Sequence, residues 1–126
     1  MASQLPNNLI NLQLVVGQEQ INTFAALAGD YNPIHIDAEA ARQSGMSNVI
    51  AHGSISLNLL WESIEQSIRN EASSQLNLEV RFRAPVYVDE VVETGGCRVA
   101  DNNAYEVWVS NQDGKRVIEG TLTIES

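Results

Sequence analysis

The sequence predicts an α+β domain: a curved antiparallel sheet of about five strands facing one long central helix. Three observations carry this. Apolar residues recur at helical spacing through the first half of the chain and end in a long stretch from Gly53 to about Arg69. After residue 74 the pattern changes to strict alternation, with Leu76, Leu78, Val80, Phe82 and Ala84 separated by polar or charged residues. Turn signals then follow at short intervals, at Asp101-Asn102-Asn103 and at Asn111-Gln112-Asp113-Gly114. Helices early and alternating strands late indicate a helix layer packed on an antiparallel sheet.

Taken in order, Leu9–Val16 alternates loosely and is expected as a first strand, with Ile10, Leu12, Leu14 and Val16 on one side. Gln18–Ala28 carries Ile21, Phe24, Ala25 and Leu27 at helical spacing and ends at Gly29. Asp30–Ile36 is a turn, because Pro33 holds Asn32 in extended geometry and stops the helix. Asp37 is the expected N-cap of a short helix, Ala38–Ser44, closed by Gly45. In the long helix Leu57, Leu60, Trp61, Ile64 and Ile68 form one apolar stripe, widened by Ile55 and Leu59, with Glu62, Glu65 and Arg69 on the wet face. Leu76–Ala84 reads as a half-buried strand. Val86–Ala100 reads as another, with a bulge or bend at Gly95-Gly96. Tyr105–Val109 and Val117–Ile124 are the last two, joined by a hairpin.

Composition narrows the function. The 126 residues fit a single domain spanning the whole chain, with 44% apolar residues to fill one core. Seven basic residues face sixteen acidic ones, a formal charge of −9, which argues against nucleic acid as a partner. No apolar run reaches the roughly 20 residues of a membrane helix. The first eleven residues show no secretory signal, and Cys97 is the lone cysteine, so a cytoplasmic location is expected.

Chemistry concentrates between Phe24 and Gly53. Both histidines, His35 and His52, lie there, and Asp30, Asn32, His35 and Asp37 fall within eight residues. Taken singly, Asp30 is an ordinary turn residue, His35 a satisfied turn or core histidine, and Asp37 an N-cap. His52 either orients the loop before Gly53 or lines a pocket. Ser54, Ser56 and Asn58 follow the helix start, and spacing does not choose among them.

With Gly29-Asp30-Tyr31-Asn32-Pro33-Ile34-His35-Ile36-Asp37 and Ala51-His52-Gly53 in view, the sequence resembles the MaoC-like dehydratases, which include (R)-specific enoyl-CoA hydratases with the hot-dog fold. The likeness returns at Val80-Arg81-Phe82-Arg83-Ala84-Pro85-Val86-Tyr87-Val88. The resemblance implies reversible water addition to 2-enoyl thioesters carried on coenzyme A or an acyl carrier, with no other cofactor, and a homodimer. It matches Asp30 and His35 to the catalytic pair, Asn32 to its supporting asparagine, and Gly53 to the residue whose backbone N–H meets the thioester carbonyl. Two departures stand out. Asp89-Glu90 replaces a frequent Gly-Asp and is expected to alter a turn. Ser54 replaces a frequent methionine and alters the pocket wall that meets substrate.

The chemistry fits those residue types. A carboxylate and an imidazole holding one water can deprotonate it at Cβ and return a proton to Cα. Unpaired N–H groups at a helix start suit the charge that develops on the thioester oxygen. Arg81 and Arg83, on one face of their strand, either meet carrier phosphates or pair with Glu79. Three other functions compete: an iron enzyme using His35, Asp37 and His52, a non-catalytic binding module or partner subunit on the same fold, and a hot-dog thioesterase.

Overall fold

A computed structural model describes residues 5–68, 75–100 and 102–125. The elements run β1 (Gln13–Val16), α1 (Gln18–Ala28), a 3-10 turn (Pro33–His35), α2 (Ala38–Gln43), α3 (Gly53–Ser67), β2 (Gln75–Phe82), β3 (Glu90–Arg98), β4 (Ala104–Asn111) and β5 (Arg116–Glu125). The five strands form one antiparallel sheet in the order β1-β3-β4-β5-β2, and α3 lies against β3 and β4. This is the expected helix-on-sheet arrangement. The expected helix end at Arg69, and Asp101 of one turn, fall outside the described residues. Among the described residues no helix is long and apolar enough to cross a membrane.

Leu60 and Ile64 of α3 are fully buried against Tyr105, Val107 and Val109 of β4 and Leu122 of β5. Each such aliphatic side chain contributes roughly 1.5–3 kcal/mol through burial. The buried face of α3 is rotated from the expected stripe. Ile55, Ser56, Leu60, Ser63 and Ile64 are buried, while Leu57, Leu59 and Trp61 only flank the core. Serine is tolerated inside because Ser63 donates to the Ile10 carbonyl, and Ser67 accepts from the Ile10 N–H at 2.8 Å.

Those bonds also reshape the predicted first strand. Residues 9–12 do not form a regular ladder: Thr94 Oγ1 accepts from Leu12 N–H, and Leu9 N–H reaches Gly96 O. Leu9 therefore turns inward and Ile10 outward, and only the second half of the stretch is β1. In α1 the apolar pattern overreaches as well, since Leu27 is exposed.

The bulge is not at Gly95-Gly96. Those glycines pair in register with Trp108 and Val107. They are small because a Cβ at Gly95 would overlap the Trp108 indole, and one at Gly96 would overlap Leu9. The register shift falls in the last hairpin, where Val109 faces Ile118 but Ser110 faces Arg116. Val117 is the extra residue, so two consecutive apolar side chains, Val117 and Ile118, are both buried. The turn before β3 survives its altered sequence: Asp89 adopts the left-handed conformation, φ 70°, that the glycine frequent in the resembled family would take freely.

Candidate active site

Helix α1 stops at Gly29, whose left-handed backbone (φ 68°) sends the chain straight into Asp30. Asp30 Oδ1 accepts from Asn32 N–H at 3.2 Å, and Asn32 Oδ1 accepts from Ile34 N–H at 3.2 Å. Asn32 thus caps the 3-10 turn that carries Pro33 and His35. Two successive side-chain-to-backbone turns, locked by Pro33, set the aspartate and histidine side by side.

His35 is buried, and its Nδ1 lies 2.7 Å from the Ile50 carbonyl. A carbonyl only accepts, so Nδ1 carries the proton and Nε2 presents a lone pair. That Nε2 stands 3.9 Å from Asp30 Oδ2, whose side chain is half exposed. His52 is also buried, stacked on His35 with 3.8 Å between ring centroids, and the Phe24 ring lies 4.9 Å from it, tilted by 50°. His52 Nε2–H donates to the Asp30 backbone carbonyl at 3.0 Å, while its Nδ1 is buried with no partner among the described residues.

His52 is also the residue preceding α3, so its side chain ties the aspartate turn to the helix start. The strap before it is fixed by the segment between β2 and β3, through Ala51 N–H on Val86 O and Val88 N–H on Val49 O. Gly53 and Ser54 open α3 and line a cavity of about 600 Å³ together with His35 and His52. The walls are largely apolar, with Met46, Ile50, Phe82, Val86, Val117 and Ile118. A helix start whose first amides have no partner among the described residues, at an apolar cavity lined by an imidazole with a carboxylate behind it, can hold a polarised carbonyl and move protons next to it.

The structure therefore brings Asp30, His35, His52, Gly53 and Ser54 together, and Ser56 joins them as a buried lining residue. Neither Asp30 nor Asn32 lines the cavity: Asp30 stands behind the two histidines, and the Asn32 side chain is taken up by the turn. Asp37 caps α2 through Glu39 N–H, so the set His35, Asp37 and His52 is not assembled. Asp30 stands beside the histidines instead, with donor atoms within 4.8 Å of one another, but His52 Nε2 is already engaged by a carbonyl. Arg83 pairs with Glu119 at 3.3 Å rather than with Glu79, and it borders both the cavity and a polar groove shared with Arg81. Phe82 was not foreseen as a site residue. It was expected on the buried face of its strand, yet it is 57% exposed and lines the cavity. The proline three residues on, which ends the strand pattern, was the one available hint.

The chain is 26% identical over 119 residues to an (R)-specific enoyl-CoA hydratase of Rhodospirillum rubrum, covering 90% of this chain and 82% of that one. It is 30% identical over 76 residues to an (R)-specific enoyl-CoA hydratase of Aeromonas caviae, and 32% over 79 residues to a mitochondrial 3-hydroxyacyl-[acyl-carrier-protein] dehydratase of Arabidopsis thaliana. Those two matches cover 60% and 62% of this chain. The chain spans about half the length of these two relatives, 57% and 46% respectively. Among solved structures, the (R)-hydratase of A. caviae superposes with a TM-score of 0.81 over 98% of both chains at 22% identity, and the ChsH1–ChsH2 complex of Mycobacterium tuberculosis with 0.79 at 16% over 98% of both. These superpositions establish the hot-dog fold. The family model described as "MaoC like domain" matches residues 7–125, from the lead into β1 to the end of β5, and on that match the chain belongs to the MaoC-like domain family.

Proposed function

We propose that this protein catalyses the reversible hydration of trans-2-enoyl thioesters to (3R)-hydroxyacyl thioesters. The observation that carries the reading is the 3.9 Å gap between Asp30 Oδ2 and Nε2 of His35, a histidine that lines the apolar cavity. It is too long for a direct hydrogen bond. One water donating to both acceptors at about 2.8 Å bridges such a gap with about 90° between its two bonds, which bent hydrogen bonds allow. The names of the matched hydratases and dehydratases support the same chemistry.

In the forward direction the water oxygen attacks C3 while one of its protons passes to the Asp30–His35 pair. The pair then returns a proton to C2, so H and OH add across the double bond and the thioester stays intact. The Nδ1–H bond to Ile50 O holds the His35 tautomer that keeps Nε2 basic. Negative charge building on the thioester oxygen is met by the Gly53 amide at the start of α3. Asn32 supports the pair through the turn rather than through substrate, and His52 holds the Asp30 backbone against α3. Ser54 stands on the cavity wall beside Gly53, where it meets the acyl or carrier part of the substrate. No further cofactor enters the scheme; the thioester carrier is coenzyme A or an acyl-carrier protein. The working form is a cytoplasmic homodimer, in keeping with an edge strand β2 that has a single partner among the described residues and with the lone Cys97.

The test is ultraviolet loss of the conjugated enoyl thioester across a series of acyl chains, with a thiol reagent present and chiral analysis of the product. Hydration leaves the thiol signal flat and yields the 3R product. Release of free thiol would indicate a thioesterase, and a 3S product or no turnover on any chain would overturn the reading.

A further inference from the structure

We infer that Phe82 is a specificity-determining wall of the thioester site, which limits bulk at the acyl carbon next to the thioester; the inference rests on the hydratase reading above. Phe82 is the last residue of β2 and pairs with Ile118 of β5, itself a buried cavity residue. Leu76, Leu78 and Val80, on the same side of the strand, are half-buried against the core. Phe82 lies one step beyond that core, and its ring stands over the start of α3.

The contact with Gly53 is close. A Cβ placed on Gly53 would lie 2.7 Å from Phe82 Cε1 and 3.0 Å from Cδ1. Gly53 does not have positive φ, so its backbone would accept alanine. What a side chain there would meet first is the ring, which would have to turn aside. The same small space borders the amide assigned to the thioester oxygen. A carbonyl within hydrogen-bond reach of that amide places C1 about 4 Å away, and C2 one bond further. A flat, unbranched enoyl unit can lie along the ring. A methyl on C2 projects from the edge of that plane into the region the ring fills. An aromatic face left bare at a cavity wall is also the feature expected of a ligand contact rather than of a core residue.

The experiment has two arms. In the first, kcat/KM is measured for a straight-chain 2-enoyl thioester and its 2-methyl counterpart with wild type, Phe82→Ala and Phe82→Leu. Wild type should favour the straight chain at least tenfold. Phe82→Ala should shrink that preference at least tenfold, with Phe82→Leu intermediate. An unchanged ratio in an active Phe82→Ala enzyme overturns the inference and leaves the hydratase reading standing. No turnover by wild type overturns the hydratase reading, and the selectivity with it. The second arm needs no activity: thermal melts of wild type, Gly53→Ala, Phe82→Ala and the double variant. Gly53→Ala should change Tm less favourably in the wild-type background than in the Phe82→Ala background, where the ring no longer has to turn aside. Equal changes in both backgrounds would show that the ring does not stand on Gly53, and the wall would be refuted.

Discussion

Asp30→Asn is the sharpest test of the site. Asparagine keeps the side-chain oxygen that accepts from Asn32 N–H, and the Asp30 carbonyl still accepts from His52. The side chain is half exposed, so the substitution should cost well under about 1 kcal/mol of stability. What it removes is a proton acceptor 3.9 Å from His35 Nε2. General acid–base contributions of this kind amount to about 10²–10⁴-fold. The expected loss in hydration rate is therefore at least about a hundredfold, or about 2.7 kcal/mol in the barrier. His35→Ala should lose at least as much activity and also some stability, because it strands the buried Ile50 carbonyl at a cost of about 1–3 kcal/mol. If both groups hold one water, their losses are not additive, and the double variant should be little worse than the poorer single one. Rates would be followed by enoyl absorbance and stability by urea unfolding of the same preparations. Wild-type turnover by Asp30→Asn, or single losses that multiply in the double variant, would refute the shared-water argument.

Further outcomes follow from the rest of the fold. Gly120→Ala should destabilise by about 1–3 kcal/mol in urea titrations, because its Cβ would overlap the Glu79 carbonyl, which is backbone and cannot swing away. Asp89→Gly should raise stability by up to about 1–2 kcal/mol by relieving the left-handed strain of its turn, read as a higher urea midpoint. Burial pushes the Tyr105 phenol above its usual 10.0, an effect that nearby Arg98 partly offsets. The unfolded chain then loses this proton first, so Tyr105 contributes in full below pH 10 and progressively less above it. Urea midpoints should fall across that range, and Tyr105→Phe should flatten the fall. Sedimentation at micromolar concentration should show a dimer, since among the described residues β2 pairs with β5 alone; a monomer would count against the proposed assembly.

The helix periods, the alternation of β2 and the turn residues of the hairpins were legible because each is a property of neighbours in sequence. The nearness of Asp30 and His35 was legible for the same reason, since Asn32 and Pro33 fold those few residues into one turn, although Ile50 and His52 complete its fixing. Contacts between distant segments were not. His52 holds the Asp30 carbonyl from 22 residues away, and Phe82 stands on Gly53, pairings that exist only once β2 and α1 have closed on the start of α3. The role of Gly95 was misread because sequence shows a missing side chain but not the Trp108 that needs the space. Ile10 and Leu9 exchanged faces because Ser63, Ser67 and Thr94 bind the backbone of Ile10 and Leu12. Local pattern decides which element forms. Which face it turns inward, and what its glycines make room for, is decided by the side chains that arrive from elsewhere, because a buried polar group must be paired and a close-packed interior leaves no spare volume.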